Sequence, residues 1–474
     1  MLNRANLEHK TFQLMIIPCL LLLFSFLSYQ ENLFRVISDP SFNRFQYASE
    51  ILVIDGLNYT KNTGKDLSLG HYERLKKTIY PDSYLLAKKS FNGKLNEKET
   101  KFDPYTSQIG LQLYFYSFLS NNINMSIQNL KQITSLLMSF VVLLFYFPIK
   151  KEFGFLSAIG FSVIFIFSPW VVTFSNNLYW AMFTWFIPIL ITFYLSHSAF
   201  KSSKRLLIMS CLLIISFLIK FLCGYEYITT IAITSCLPIF YWGFKTKVTN
   251  VKIIYVLSSV IFSFLAAFII SLVLYSSVYG SSNLEKIVTK RVLYSDIQKQ
   301  INDYCKDNKT QDCKDEFIKD YAPSLNANPI KVVATYFKFR SFLPWSGPQD
   351  GEVISADKIK IKKWIKQPYL YENIINLEKQ SYKYMLETVL NMILFLIFNI
   401  LICRKAMKSQ DKKDIILIAT AFLAPISWYA LAKGHSYLHT HINYILWYIL
   451  YVPLGMAYLL KNDSPCVNRT VNQA

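Results

Sequence analysis

Motifs of nucleotide and acyl-transfer chemistry are missing from this sequence. Thr63-Gly64-Lys65-Asp66 lacks the glycine frame of a phosphate-binding P-loop, and no Gly-x-Gly-x-x-Gly dinucleotide fingerprint occurs. The chain has no Gly-x-Ser-x-Gly nucleophile elbow either. These absences argue against nucleotide-driven chemistry and against a serine hydrolase.

The chain is also poor in acidic residues, and it has neither an internal repeat nor a low-complexity segment. Its 30 Asp and Glu residues stand against 50 Lys and Arg residues, a formal net charge of +20. Such a charge is common in proteins that bind nucleic acid. Here the basic residues fall in short clusters between apolar runs, which indicates a membrane protein with no nucleic-acid partner. The missing repeat argues against a transporter built from inverted halves.

Apolar runs make up most of the remaining sequence. Hydrophobic residues are 53% of the chain, and the mean hydropathy is +0.27. Each run is about long enough for a helix that crosses a hydrocarbon core of ~30 Å. We therefore predict an all-α multi-pass membrane protein with about ten transmembrane helices. The predicted spans are 11–29, 128–148, 154–170, 177–197, 206–223, 225–243, 252–277, 385–403, 414–432 and 440–460.

Basic residues alternate along the short connections between these spans. They cluster after the second, fourth, sixth and eighth spans, whereas the intervening short loops hold only Lys220 and Lys433. By the positive-inside rule, this pattern predicts that both termini are cytoplasmic and that loops 30–127 and 278–384 lie outside. We expect the first span to be an uncleaved signal anchor, because no small-x-small cleavage site follows it.

Two large outer loops thus divide the predicted spans. Residues 35–57 carry apolar side chains at helical spacing, which predicts an amphipathic helix, and Asp103-Pro104 predicts the start of an interfacial helix. In the second loop the pattern predicts helices over 284–302, 316–321 and 331–339. The predicted layout is a first helix within 1–29, an outer loop 30–127, a six-helix block 128–277, an outer loop 278–384, a three-helix block 385–460 and a cytoplasmic tail 461–474.

Ten carboxylates occur in the first outer loop. A chain that only crosses a bilayer has no need of such a polar loop. Asp39, Glu50 and Asp55 lie near the outer end of the first span. A carboxylate fixed at the membrane face can act as a general base toward an acceptor hydroxyl. These three residues are therefore the candidate catalytic acids, with Asp103 as a candidate for substrate binding. The alternative is that all of them are helix caps and solvated charges.

Half of the six histidines fall within seven residues, at the outer mouth of the last predicted span. His435 and His439 are four residues apart and share a face if the segment is helical, whereas His441 points to another side. The three could hold a divalent metal, which needs three or four ligands in a set geometry. Alternatively, the segment binds phosphate or sugar, with donors that include Lys433 and Asn443. A structural hydrogen-bonding cap is the third interpretation.

Polar side chains in or beside the spans provide further candidates for substrate binding. Glu226 lies at the outer end of the sixth span, where a carboxylate is costly unless it is paired or functional. Asn177, Gln108 and Gln112 could hydrogen-bond a ligand. Arg340 lies in a basic and aromatic segment, and a guanidinium binds phosphate in a bidentate manner.

Two of the eight cysteines, Cys305 and Cys313, lie close together in the second outer loop. An oxidising outer compartment favours a disulfide between them, the alternative being two free thiols. The other six lie in or next to apolar spans or in the tail, where packing accounts for them.

Four segments and the overall layout resemble the GT-C superfamily of integral-membrane glycosyltransferases and multi-span proteins of bacterial surface-polysaccharide pathways. The layout shares a cytoplasmic N-terminus, a large outer loop after the first span, acidic residues near that span and a later large outer loop. Unlike the family, the first span is not followed by a paired-acid motif. The four segments are Tyr105-Thr-Ser-Gln-Ile-Gly-Leu-Gln112, Asn177-Leu-Tyr-Trp-Ala-Met-Phe-Thr-Trp185, Gly224-Tyr-Glu-Tyr227 and His435-Ser-Tyr-Leu-His-Thr-His-Ile-Asn443.

The resemblance implies a GT-C-like fold and transfer of a sugar from a polyprenyl-phosphate donor to a glycan or lipid-linked acceptor, on the outer face of a bacterial plasma membrane. It implies that Asp39 or Asp55, with Glu50 as a third choice, is the base. Arg340, Lys433 and His435 would then hold the lipid phosphate. No metal cofactor is required by this chemistry, and membrane lipids are the other partners.

Two rival functions remain open at this stage. An O-antigen-type polymerase or ligase also joins lipid-linked sugars outside the membrane, and the histidine segment favours it, whereas the early position of the first large loop does not. A non-enzymatic transporter of lipid-linked sugars would need polar residues deep within several spans, and few are present.

Overall fold

The structure is a computed structural model. It describes residues 16–37, 39–64, 67–72, 80–92, 101–281, 284, 328–337, 368–409 and 411–462, and these are mostly helical. In the first half the elements are α1 (Ile17–Glu31), α2 (Asp39–Thr63), β1 (Gly70–Tyr72), α3 (Tyr80–Asn92), β2 (Phe102–Pro104), α4 (Leu111–Asn122), α5 (Ile127–Phe153), α6 (Phe155–Phe167), α7 (Pro169–Ser175), α8 (Phe183–Ala199), α9 (Ser203–Cys223) and α10 (Ile228–Lys245). The later elements are α11 (Asn250–Tyr279), α12 (Pro329–Tyr336), α13 (Pro368–Ser409), α14 (Lys412–Leu431), α15 (Lys433–Leu438), α16 (Thr440–Asn443), α17 (Ile445–Ile449) and α18 (Tyr451–Leu460).

Five helices within the described residues are long and apolar enough to cross a membrane. They are α5, α9, α11, the Val389–Ser409 part of α13, and α14. A sixth span is formed if α6 and α7, which are bent by 64° at their junction, count as one. These helices fit the predicted all-α membrane protein, and the count of ten spans stays a prediction.

Small residues let the long helices pack closely. On α9 and α11, Ser210 Oγ lies 3.1 Å from Ser259 Oγ, and Ser263 donates to the Ser210 carbonyl at 3.2 Å. On α18, a Cβ at Gly455 would lie 2.6 Å from a methyl group of Ile402 on α13, so only glycine permits this approach. Close backbone approach and interhelical hydrogen bonds replace hydrophobic burial as the source of helix association in lipid.

The helical bundle has two chemically different ends. At the loop end, α2, α3, α4 and the β1–β2 ribbon pack beside the start of α5. At the basic end, Glu152 in the last turn of α5 binds Lys245 at the end of α10, and Asp414 binds Lys461 at 2.8 Å. The predicted cytoplasmic clusters at 150–151, 245–247 and 404–413 lie near this end, so the structure brings together the loops that the charge pattern assigned to one side.

Within residues 30–127, the predicted first outer loop, one predicted helix coincides with a helix of the structure and another is corrected. The amphipathic pattern over 35–57 corresponds to α2, which extends to Thr63. Asp103-Pro104 does not start a helix, because residues 102–104 pair antiparallel with residues 70–72. The helix begins at Leu111 instead, after Gly110 in a left-handed conformation with φ of 81°. Its buried face includes Gln112 and Tyr116, whereas Phe115 is exposed.

Two predicted spans are broken. The chain bends between α6 and α7 because Pro169 has no amide hydrogen to continue the helix, and Ser168 caps the new helix by accepting from the Val171 N–H. Residues 440–460 form α16, α17 and α18 instead of one continuous helix, with Leu450 outside helical geometry. In the second loop, α12 overlaps most of the helix predicted over 331–339, whereas those predicted over 284–302 and 316–321 lie outside the described residues except for residue 284.

Candidate functional site

The four segments that carry the resemblance meet at the loop end of the bundle. The turn after α9 is the point of contact. Gly110 donates its backbone N–H to the Leu222 carbonyl at 2.9 Å, which joins the first segment to this turn. Lys220 Nζ donates to the Gly224 carbonyl at 2.5 Å and lies 5.9 Å from the centroid of the Trp185 ring. Residues from distant parts of the sequence therefore share one buried region.

A carboxylate and an amide face each other across Gly224. A Cβ built at Gly224 would lie 2.5 Å from Glu226 Oε2 and 2.8 Å from Gln108 Oε1. Any larger residue here would have to displace one of these two side chains. Glu226 is 7% exposed and Gln108 is fully buried, so the pair lies in a region of low dielectric. Burying a charged carboxylate is costly unless other groups pair with it, so its position indicates a structural or functional role.

Tyr179 holds one side of Gln108. Its hydroxyl donates to Gln108 Oε1 at 3.3 Å and lies 3.4 Å from the Tyr105 hydroxyl. Gln112 fixes the backbone of the same segment, because its Nε2 donates to the Tyr179 carbonyl at 2.8 Å. The Nε2 of Gln108 is buried and has no hydrogen-bond partner within the described part of the chain. Gln108 thus has its acceptor satisfied and its donors available.

Four aromatic rings surround Tyr227, which adopts a left-handed conformation with φ of 65°. Trp180 stacks on Tyr227 with centroids 6.0 Å apart and an interplanar angle of 14°. Trp185, Trp428 and His435 meet the Tyr227 ring edge-on at 5.1, 5.4 and 6.2 Å. We call Trp180, Trp185, Tyr227, Trp428 and His435 the aromatic cluster.

Three polar atoms of the aromatic cluster are buried without a hydrogen-bond partner among the described residues. They are the Tyr227 hydroxyl and the indole nitrogens of Trp180 and Trp428. An unsatisfied buried donor costs ~1–3 kcal/mol, so several of them close together are unusual in a native protein. Such a group indicates a place where water or a ligand completes the hydrogen bonding.

The histidine segment forms the far side of the aromatic cluster. His435 and His439 share a face, as their spacing predicts, with ring centroids 4.6 Å apart. Asn443 Nδ2 lies 3.4 Å from His435 Nδ1 and donates to the Tyr336 hydroxyl at 3.2 Å. Lys433 begins α15 and is partly buried. The side chain of His441 lies outside the described residues, and no group of three or more His, Cys, Asp or Glu residues within them could hold a metal ion.

Helix α12 of the second outer loop docks on this segment. Tyr336 donates its hydroxyl to the Ser436 carbonyl at 2.5 Å, and its ring stacks on Tyr429 with centroids 3.8 Å apart. Burial raises the pKa of Tyr336 well above its usual value. Arg340 follows four residues later but lies outside the described residues, as do Cys305 and Cys313.

Glu50, a predicted catalytic carboxylate, lies in a buried ionic network. Its carboxylate binds Lys131 Nζ at 2.9 Å, accepts from the Leu178 N–H at 3.1 Å and binds the Tyr84 hydroxyl. Burial, with the neighbouring Glu50 carboxylate, raises the pKa of Tyr84, and burial with the nearby Lys131 lowers the pKa of Lys88. The network joins α2, α3 and α5, so Glu50 has an anchoring role in this arrangement.

The other predicted acids lie in different surroundings. Asp55 is buried on α2 and accepts from the Tyr72 N–H at 3.3 Å, which attaches the ribbon to the helix. Asp39 is exposed at the start of α2 and accepts from Asn32. Asp103 lies on the ribbon with its side chain half exposed, 3.8 Å from His71. Asn177 is fully buried and donates to Gln46 at 2.8 Å while accepting from the Tyr179 N–H.

The sequence did not single out the side chains of Tyr227, Tyr179 and Trp428, which lie at the centre of this region, and it favoured an interfacial belt for Trp180 and Trp185. The sequence signal that could have indicated two of them, Tyr227 and Tyr179, is the high density of aromatic residues beside Glu226 and Asn177. No protein-family model, curated protein or solved structure matches this chain.

Proposed function

We propose that the protein is a membrane glycosyltransferase that moves a sugar from a polyprenyl-phosphate donor to a glycan or lipid-linked acceptor at the loop end of the bundle. The observation that carries the proposal is the juxtaposition of Glu226 and Gln108 beside the aromatic cluster. The buried hydrogen-bond donors of this region match the needs of a sugar, because sugar hydroxyl groups accept hydrogen bonds. The aromatic side chains can cover the apolar faces of the sugar ring.

Glu226 is the proposed base. In an inverting transfer it would take the proton from the acceptor hydroxyl while the acceptor oxygen forms a bond to the anomeric carbon. The bond from that carbon to the phosphate oxygen breaks at the same time, and the lipid phosphate leaves with the electron pair. One well-placed carboxylate suffices for this single displacement, unlike the two of a glycosidase.

The choice of Glu226 as the base replaces the preference for Asp39, Asp55 and Glu50 that came from the sequence. Glu50 binds Lys131 and Asp55 binds the ribbon, both from α2, whereas Glu226 lies in the turn where the four segments meet, close to Gln108. His435 and Lys433 are the proposed donors to the leaving phosphate, and Arg340 retains that role as a prediction. The outer face of a bacterial plasma membrane, implied by the resemblance, remains part of the proposal.

A polymerase or ligase that joins two lipid-linked glycans is the second candidate. The adjacent His435 and His439 rings favour it, because two imidazoles offer an acid–base group in addition to Glu226. The two functions differ in their acceptor and in their product, since a polymerase lengthens the glycan repeatedly and a glycosyltransferase adds one residue.

The test uses the full-length protein in proteoliposomes with radiolabelled polyprenyl-phosphate hexoses and a panel of lipid-linked acceptors. We expect transfer by the wild type and a loss of at least about a hundredfold for Glu226→Gln, the range of a general base. Asp39→Asn makes the same chemical change at an exposed site and should retain activity. Equal activity of Glu226→Gln and the wild type would refute the role of Glu226, and a ladder of products would favour the polymerase.

A further inference from the structure

A cavity lies at the basic end of the bundle, away from the proposed transfer site. Its volume is about 390 Å³, and its walls come from the ends of α5, α8 and α9 together with α10, α14 and α18. None of the four segments that meet at the loop end forms its rim or its floor. The cavity therefore needs an explanation of its own.

The rim of this cavity is basic. Lys151, Lys201 and Arg205 line it, and all three are exposed. Within the described ranges, no carboxylate lies within ion-pair distance of any of them. The one carboxylate in the lining, Glu152, is bound by Lys245 and by the Tyr241 hydroxyl at 2.9 Å. Among the described residues, the rim thus carries three positive charges that no carboxylate neutralises.

The start of α9 adds to this positive field. Arg205 lies in the first turn of this 21-residue helix, whose N-cap Ser202 forms no side-chain cap hydrogen bond. The first backbone N–H groups of an uncapped helix attract anions, and the helix dipole has the same sign. A guanidinium beside such N–H groups is a common arrangement for binding phosphate oxygens.

The deeper wall is apolar. Phe193, Leu237, Leu417 and Leu454 line the interior. At the outside, Phe147 and Tyr194 also belong to the lining and are 41% and 48% exposed, so the apolar surface continues from the cavity onto the outer face of the bundle. A free phosphate ion or sugar phosphate would leave this apolar wall in contact with water.

Charge and apolar surface together specify the ligand. We propose that this cavity binds a phosphate-bearing amphiphile, with the phosphate at Lys151, Lys201 and Arg205 and a hydrocarbon chain against Phe193 and Leu237. The proposal is independent of the transferase activity, since it concerns different residues at the opposite end of the bundle. A membrane phospholipid and a free phosphate compound share the head-group chemistry, and only the first uses the apolar wall.

The test is a binding measurement by native mass spectrometry on the full-length protein in detergent. The probes are phosphatidic acid, phosphatidylcholine of the same chain length, and glycerol 3-phosphate. We expect phosphatidic acid to be retained roughly tenfold better than phosphatidylcholine, the scale of one charge-assisted contact. Glycerol 3-phosphate binding as tightly as phosphatidic acid would overturn the amphiphile assignment.

Matched variants locate the site. Lys201→Gln and Arg205→Gln should each reduce the retention of phosphatidic acid about five- to tenfold. Lys204→Gln removes a positive charge from the same exposed helix start, but Lys204 does not line the cavity, so retention should stay at the wild-type level. Ser198→Phe, which places a ring in the cavity, should weaken phosphatidic acid binding. Equal losses in the Lys204 and Arg205 variants would show surface attraction without a site and would refute the proposal.

Discussion

The rings of Trp180 and Tyr227 stack in nearly parallel planes at the loop end, although 46 intervening residues separate them in the chain. The stack brings the turn before α8 against the turn before α10. Both residues bury a polar atom that has no hydrogen-bond partner among the described residues. This stack is therefore part of both the packing and the proposed sugar-binding surface, and each of its polar atoms can be tested separately.

Tyr227→Phe removes only the buried hydroxyl. If no protein group uses this hydroxyl, the midpoint of thermal unfolding should stay unchanged or rise. If the hydroxyl binds the sugar, kcat/KM for transfer should fall about tenfold, the value of one hydrogen bond of ~1.4 kcal/mol. Tyr429→Phe is the control, because its hydroxyl donates to the Asn443 carbonyl at 3.1 Å and its loss should reduce stability first. An unchanged kcat/KM in Tyr227→Phe would exclude contact with the substrate.

Gly224→Ala tests the space between Gln108 and Glu226. The new methyl group would displace one of these side chains, so transfer should fall at least tenfold while the protein still folds. Gly154→Ala is the matched control, because this glycine also has a positive φ but no atom within 4 Å of the position that a methyl group would take. Similar activity losses in both variants would attribute the effect to backbone strain instead of displacement.

Lys131→Met tests the anchoring role of Glu50. This change leaves a carboxylate buried without its cation, and we expect a loss of ~3–5 kcal/mol in the free energy of unfolding. Adding Glu50→Leu should recover part of the loss, because the double variant buries no charge. The measurement is unfolding in detergent for both single variants and the double variant. Additive losses would show that the two side chains do not depend on each other.

Tyr336→Phe tests the docking of α12. Its hydroxyl donates to Ser436 and accepts from Asn443, so its removal should cost ~1–2 kcal/mol locally and raise hydrogen exchange over residues 329–336. Thr335→Val removes the neighbouring hydroxyl, which donates within the same helix to the Lys331 carbonyl, and should leave exchange near the wild-type rate. Unchanged protection in Tyr336→Phe would mean that ring stacking on Tyr429 alone holds the helix.

Local patterns predicted much of the helical architecture. Apolar length located α5, α9, α11 and α14, and helical spacing located α2, because these signals depend on neighbouring residues only. The β1–β2 ribbon was not predictable, since its strands have three residues each and are separated by 29 residues in the chain. The bend at Pro169 was available in the sequence as a helix breaker, but its angle depends on the packing around α7.

The sequence indicated the segments that form the candidate site, but it did not indicate how these segments are arranged in space. The sequence singled out Gln108, Asn177, Glu226 and His435, and three of their segments meet around Tyr227. Glu50 was among the candidate acids because it lies near the outer end of the first span, and no local pattern connects it to Lys131, which lies 81 residues away. Local patterns do not reveal buried ion pairs between distant residues, and this pair is the reason why Glu226 replaces Glu50 in the proposal.

The Glu50–Lys131 pair restricts the ways in which a substrate reaches the proposed transfer site. Moving the first outer loop aside would separate two buried charges, which is costly in a low dielectric. By contrast, α12 is held by neutral hydrogen bonds and a ring stack at Tyr336. The two contacts therefore differ in the free energy needed to separate them, and under the proposed transfer we expect a long lipid-linked chain to displace α12 before the first loop.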